Sequence, residues 1–252
     1  MCIRDRYKER KPFLILQLRL EDIVADSEFE AILNYGGIEP SSAHRIRVEQ
    51  SGIPPLDLDD YSAIIVGGSP FDITTPANEK SDVQNRLEAH FNDLLDVVVR
   101  RDFPFLGACS GCGLLGNYLG APISGRYAEP IGWVEVTVTE AGRNEPLLSD
   151  FPPVFDVLCG HKEACDTVPA GSTLLLSGTA CPIQMFRIGK NVFATQFHPE
   201  GDVAGFEIRI DAYKYHGYFA PDQADAIMSR VRTSDTPHGQ ELLRRFIERY
   251  RL

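Results

Sequence analysis

Residues Phe103 to Ala108 form a short apolar run that reaches Cys109 and passes without a spacer into a helically patterned segment, 110 to 119. A strand that turns straight into a helix has one residue at its corner. Glycines at 107 and 111 keep side chains out of that corner, where the backbone must bend sharply. This junction requires a sheet with a helix laid back over it, the repeating unit of a parallel α/β fold. The segments before it repeat the alternation. Residues 12 to 18 and 61 to 66 are buried-strand runs, and 44 to 49 alternate in polarity as a strand does. Residues 23 to 35 are a helix stopped by Gly36–Gly37. Residues 79 to 100 are a second helix, with Val83, Leu87, Phe91, Leu94, Leu95 and Val98 along one face and Ser81 placed to cap it with Gln84 three positions on.

Past the elbow the pattern changes. Residues 131 to 139, 153 to 159, 173 to 178, 183 to 188 and 191 to 197 read as strands joined by short turns. Val134, Val136 and Val138 alternate with Glu135 and Thr137, as on a half-buried strand. From about 201 to 252 the chain reads as helical, with Ala224, Ile227, Met228 and Val231 on one amphipathic face and Leu242, Leu243, Phe246, Ile247 and Tyr250 on another. The expected fold is a three-layer α/β sandwich with a mostly parallel sheet and a helical C-terminal extension. Residues 11 to 252 are expected to form a single domain. The opening MCIRDRYKER has no apolar core, so it is not a secretory signal, and it reads as a non-native tail.

A net charge of −11 disfavours nucleic acid as a partner, since such binding needs a basic surface. No apolar run is long enough to span a membrane. Six cysteines without a signal-type segment point to reduced thiols in a cytoplasm.

The chemistry centres on Cys109. In Gly107-Ala108-Cys109-Ser110-Gly111 the thiol projects at a strand–helix turn, where the positive end of the following helix favours thiolate. By itself this is equally well a buried cysteine in a glycine-rich turn. Phe197-His198-Pro199-Glu200 supplies partners: an imidazole at a strand end and a carboxylate two residues on, in the order nucleophile, base, orienter. Gly67-Gly68-Ser69-Pro70 follows another strand, and the N–H groups of Gly68 and Ser110 are candidates to hold an oxyanion. Cys109 and Cys112 also form C-x-x-C, a redox spacing, though without the aromatic and proline context of such sites. Cys159, His161 and Cys165 lack a nearby fourth ligand for structural zinc, so no metal is expected. Tyr213, Tyr215, His216, Tyr218 and Phe219 are read first as packing.

Taken in order, VGGSP at 66 to 70, PFLGACSGCGLL at 104 to 115, GHKEACDTVPAG at 160 to 171 and CPIQMFRIGKNVFATQFHPE at 181 to 200 resemble the class I glutamine amidotransferases, most of all the amidotransferase domain of GMP synthase. The resemblance implies a flavodoxin-like sheet, a Cys109–His198–Glu200 triad, and ammonia release from a γ-glutamyl amide through a cysteine thioester, with no cofactor. It also implies that Gly160 and His161 lie near the bound amino acid. Glutamine or another γ-glutamyl compound is the expected substrate, and a separate synthetase subunit is a candidate acceptor of the ammonia, because no P-loop is present. The alternatives are a stand-alone γ-glutamyl peptide or amide hydrolase and a non-catalytic binding or regulatory partner. The elbow departs from the family's G-x-C-x-G-x-Q: Gly113 stands in place of the substrate-holding glutamine, which leaves space that a larger γ-glutamyl compound could use.

Overall fold

The computed structural model describes residues 11–215 and 219–252. The proposed tail, residues 1 to 10, and His216 and Tyr218 of the aromatic segment lie outside them. The strands are β1 (Phe13–Gln17), β2 (Ala43–Arg47), β3 (Ile64–Val66), β4 (Phe105–Ala108), β5 (Ile123–Ser124), β6 (Glu129–Val138), β7 (Val154–His161), β8 (Ala164–Cys165), β9 (Thr173–Gly178), β10 (Met185–Ile188) and β11 (Val192–Thr195). The helices are α1 (Asp22–Gly36), α2 (Val48–Ser51), α3 (Asp82–Arg101), α4 (Ser110–Tyr118), α5 (Val203–Tyr213), α6 (Ala224–Val231) and α7 (Pro237–Tyr250).

Nine strands form one sheet in the order β2-β1-β3-β4-β11-β10-β9-β6-β7. The first five pair in parallel, in the order of a flavodoxin-like sheet. The other four pair antiparallel, which matches the short turns between them. Alternation along β1 sends Phe13 and Ile15 to one face and Leu14 and Leu16 to the other. The first face is covered by α1 and α7, the second by α3 and α4. A smaller cluster joins Ile131 and Leu158 of the sheet to Phe206, Ile210 and Val231 of α5 and α6.

Local signals account for most of these elements. Ser81 caps α3, its side chain accepting from the Gln84 N–H at 3.2 Å. Three local differences stand out. The segment 44 to 49 stops as a strand at Arg47 and turns into α2. The pair β5–β8 has only two residues on each side, too few to leave a periodic pattern in the sequence. Among its described residues the C-terminal region holds three α-helices, and the last is part of the main core. Leu242, Leu243, Phe246 and Ile247 are fully buried, and Phe246 meets Phe193 of β11 edge-on at 6.2 Å. No helix among the described residues is long and apolar enough to cross a membrane.

Because α7 closes the first layer, truncating its central aromatic should open the main core. Phe246→Ala is expected to lower stability by about 3–5 kcal/mol, read as a fall in the urea midpoint. A change below about 1 kcal/mol would make α7 an appendage instead.

Candidate active site

The parallel strands β3, β4 and β11 end together, and the site is built on their ends. Cys109 follows β4 with φ 51 and ψ −100, a conformation rarely adopted by a residue with a side chain. Its N–H donates to the Thr195 carbonyl at 2.8 Å, which ties the elbow to the strand leading to His198. The flanking glycines have a steric cause. A Cβ at Gly107 would lie 2.7 Å from the Gly111 backbone, and one at Gly111 would lie 3.1 Å from Val66.

His198 and Glu200 follow β11 in a tight turn, the Gly201 N–H donating to the His198 carbonyl at 3.0 Å. His198 Nδ1 lies 2.7 Å from Glu200 Oε1. With the proton on Nδ1, the carboxylate leaves Nε2 free to accept. Phe206 stands edge-on to the imidazole at 5.6 Å. Behind the pair lies a group of charges. Arg209 Nη2 donates to Glu200 Oε1 at 2.9 Å and lies 3.6 Å from Glu28 Oε2. Arg19 Nε donates to Glu28 Oε2 at 2.8 Å, and Gln17 Nε2 donates to Glu28 Oε1 at 3.1 Å. All five side chains are buried.

A cleft with about 670 Å³ of open space runs over this surface. Cys109, Ser110, Gly113, Gly160, His161 and His198 all line it, so the structure brings these sequence-derived candidates together, with Glu200 behind His198. Gly68 is placed differently: its N–H donates to Glu28 Oε2 at 3.4 Å, and a side chain there would strike Arg19 Nη2 and His198 Cε1. Both nitrogens of His161 are engaged, Nδ1 with the Glu163 carbonyl at 3.1 Å and Nε2 with Glu129 at 3.0 Å, while Gln184 Nε2 also donates to that carboxylate at 2.7 Å. Glu163 holds the N–H groups of Ile73 and Thr74 and Lys162 pairs with Asp72, clamping segment 69–75 over the cleft. At Gly113 the space is partly filled, because Ile73 Cδ1 would lie 3.0 Å from an added Cβ.

Electrostatics correct one sequence expectation. Burial pushes the Cys109 thiol up to about 11, although Arg19 and Arg209 pull it down. The helix end therefore does not make a resting thiolate, because desolvation of the charged form is the larger effect. Burial also lowers His198, against the pull of Glu200, so its ring is neutral and able to take a proton. Burial raises Glu200, but His198 and Arg209 reverse this and hold it well below the usual carboxylate range. A neutral thiol and a neutral imidazole on one cleft, with an ionised carboxylate behind, can form the nucleophile by proton transfer when an electrophile arrives.

Cys112 is in the core against Cys165, turned from the cleft that holds Cys109. Glu129, His161 and Cys181 offer ligand atoms within 4.8 Å of one another, as do Glu28, His198 and Glu200. The first group has three donors where structural zinc takes four, and the second is in contact with the two guanidiniums.

Comparison with known proteins places these residues in context. The family described as glutamine amidotransferase class-I matches residues 41–210. The chain is 29% identical over 153 residues to the glutamine amidotransferase-like protein YfeJ of Salmonella typhimurium, covering 61% of this chain and 62% of that protein. It is 27% identical over 144 residues to the glutamine-hydrolysing GMP synthase subunit of Sulfurisphaera tokodaii, covering 57% and 69%. The match thus spans less than two thirds of YfeJ. Among solved structures, a glutamine amidotransferase of Thermotoga maritima superposes with a TM-score of 0.73 at 22% identity, covering 94% of this chain and 99% of that one; this likeness is one of fold.

The raised thiol has a direct signature. At pH 8 an ordinary cysteine is about a quarter thiolate, and a group near 11 about a thousandth. Iodoacetamide should therefore modify Cys109 slowly at neutral pH, with a rate rising roughly tenfold per pH unit up to pH 10. A rate that levels off below pH 8 would contradict the desolvated thiol.

Proposed function

The chain belongs to the class-I glutamine amidotransferase family, and we propose that it hydrolyses the side-chain amide of glutamine or of another γ-glutamyl compound through a thioester on Cys109. His198 takes the thiol proton through Nε2 as the sulfur attacks the γ-carbonyl carbon, and Glu200 stabilises the resulting imidazolium. The carbonyl oxygen gains negative charge and is held by the Ser110 N–H, with the Gly68 N–H as second donor once it turns from Glu28. Collapse of this intermediate breaks the C–N bond, and His198 returns the proton to the departing ammonia or amine. A water molecule, deprotonated by His198, then attacks the thioester, releasing glutamate and the free thiol. The observation that carries this reading is the bonded chain from Glu200 to His198, on the cleft that also receives the strained Cys109.

Several relatives are named as parts of GMP synthase, and this supports a separate synthetase subunit that accepts the ammonia. The proposed setting is the cytoplasm, with residues 11 to 252 acting as one domain. A second reading, a stand-alone γ-glutamyl amide hydrolase, is favoured by the residue at position 113 of the elbow. Gly113 lines the cleft and offers no side chain to hold an amino acid alone. Gly160 and His161 are then contacts for the glutamyl group.

Ammonia release from glutamine, measured beside hydrolysis of γ-glutamyl dipeptides, separates the two readings by which substrate has the higher kcat/KM. In either case Cys109→Ala should abolish turnover, and His198→Asn should lower kcat by at least about a thousandfold. Turnover that survives Cys109→Ala would reject the thioester route.

A further inference from the structure

Two carboxylates are buried behind the imidazole where a triad needs one. Glu28 of α1, Glu200 and His198 present their polar atoms within 4.8 Å of one another, and Glu28 and Glu200 are each no more than 2% exposed. Buried carboxylates this close cannot both stay ionised without a cation, and the usual result is that one takes up a proton. Arg209 of α5 fills that place. Its Nη2 reaches Glu200 Oε1 at 2.9 Å and Glu28 Oε2 at 3.6 Å. Its guanidinium also stands 5.0 Å from the centre of the Phe206 ring, the ring that lies edge-on to His198.

We propose that Arg209 is a positioning residue of the active site: by standing between Glu28 and Glu200 it keeps the triad carboxylate ionised and aimed at His198. This rests on the hydrolase reading given above. The charges around the pair can be counted. Arg19 enters from the end of β1, Glu28 from α1, Glu200 and His198 from the turn after β11, and Arg209 from α5. Cys109 and Tyr213 also face the group, and Glu21 stands beside Tyr213. Within the quartet of Arg19, Arg209, Glu28 and Glu200, two guanidiniums face two carboxylates, with Glu21 a further carboxylate at Tyr213, while Cys109 and His198 are neutral at rest. Without Arg209 the quartet carries one uncompensated negative charge. A proton that then settles on Glu200 removes the anionic acceptor of the imidazole N–H, and with it the means of stabilising the imidazolium. Removing Glu28 as well restores the balance, with Arg19 left to face Glu200.

The test uses Arg209→Met, Arg209→Lys and the double variant Glu28→Gln/Arg209→Met, with two readouts. One is the pH profile of kcat/KM for γ-glutamyl amide hydrolysis. The other is the rate of iodoacetamide modification of Cys109, followed on its own peptide by mass spectrometry, which needs no substrate. Arg209→Met should lose about a hundredfold in kcat/KM at pH 7, with the acid limb moved to higher pH because a carboxylate must now be deprotonated first. Its Cys109 should also be modified more slowly at pH 8. Arg209→Lys should regain much of both. The double variant should exceed Arg209→Met by at least about tenfold, a coupling expected only for groups that share one charge balance. Equal losses at every pH, with no recovery in the lysine or double variant, would reduce Arg209 to packing and overturn the proposal. If the wild type hydrolyses no γ-glutamyl amide, the hydrolase reading falls while the modification rates still decide the proposal: unchanged rates in Arg209→Met overturn it. If circular dichroism finds Arg209→Met unfolded, the double variant must fold and react; its failure overturns the proposal too.

Discussion

A buried carboxylate, Glu28, ties together the parts of this molecule that must agree on one geometry. It accepts from Gln17 within β1, from Arg19 just beyond it and from the Gly68 N–H after β3, and it lies close to Arg209 on α5. Four separate stretches of chain are therefore referred to one point. Charges taken from water are costly, and only close pairing offsets that cost. The arrangement gives weak grounds for expecting stability and better grounds for expecting a single, well-defined geometry. Helix α1 cannot slide along the sheet without leaving a guanidinium unpaired in the interior.

The elbow adds a second constraint of a different kind. Cys109 holds a backbone conformation that costs of order 1–3 kcal/mol, and the surroundings must over-determine it. They do so by contact: Gly107 lies on Gly111, Gly111 on Val66, and the Cys109 N–H is held by Thr195. The thiol meets a desolvating cleft on one side and two cations on the other. Its resting state is set by that contest, and the helix end is the lesser influence.

Much of the fold was legible because its signals are local. The apolar run into Cys109, the spacing along α3 and the cap at Ser81 are each contained within a few turns of chain. So were Cys109, His198 and Glu200, which sit at strand ends beside glycine or proline. The order of the strands, and the pairing of β6 with β9, depend on partners far away in sequence and left no such mark. The charged residues behind the triad were missed for the same reason, yet a trace of them exists. In α5 Arg209 shares a face with the buried Phe206, Ile210 and Tyr213, and in α1 Glu28 shares one with Val24, Ala25 and Ile32. A charge on an apolar stripe calls for a partner inside, but the stripe does not say where that partner comes from. The space at Gly113 was equally hidden, since Ile73 fills part of it from a loop forty residues earlier.

The position of α7 has a consequence for how the chain acquires its structure. Helix α1 is made early and α7 late, yet they cover the same face of the sheet and share one core. Contacts between such distant stretches carry a large loop-closure entropy and slow the search. On the ribosome, β1 to β4 can pair while the face destined for α7 stays open to water, and that apolar face is a target for chaperones and for aggregation. The nucleophile elbow is complete in sequence by residue 111, but the helix that completes the layer on the far side of its sheet arrives only after residue 237. The growing chain thus carries its reactive cysteine through more than a hundred residues of synthesis before the core behind it can close.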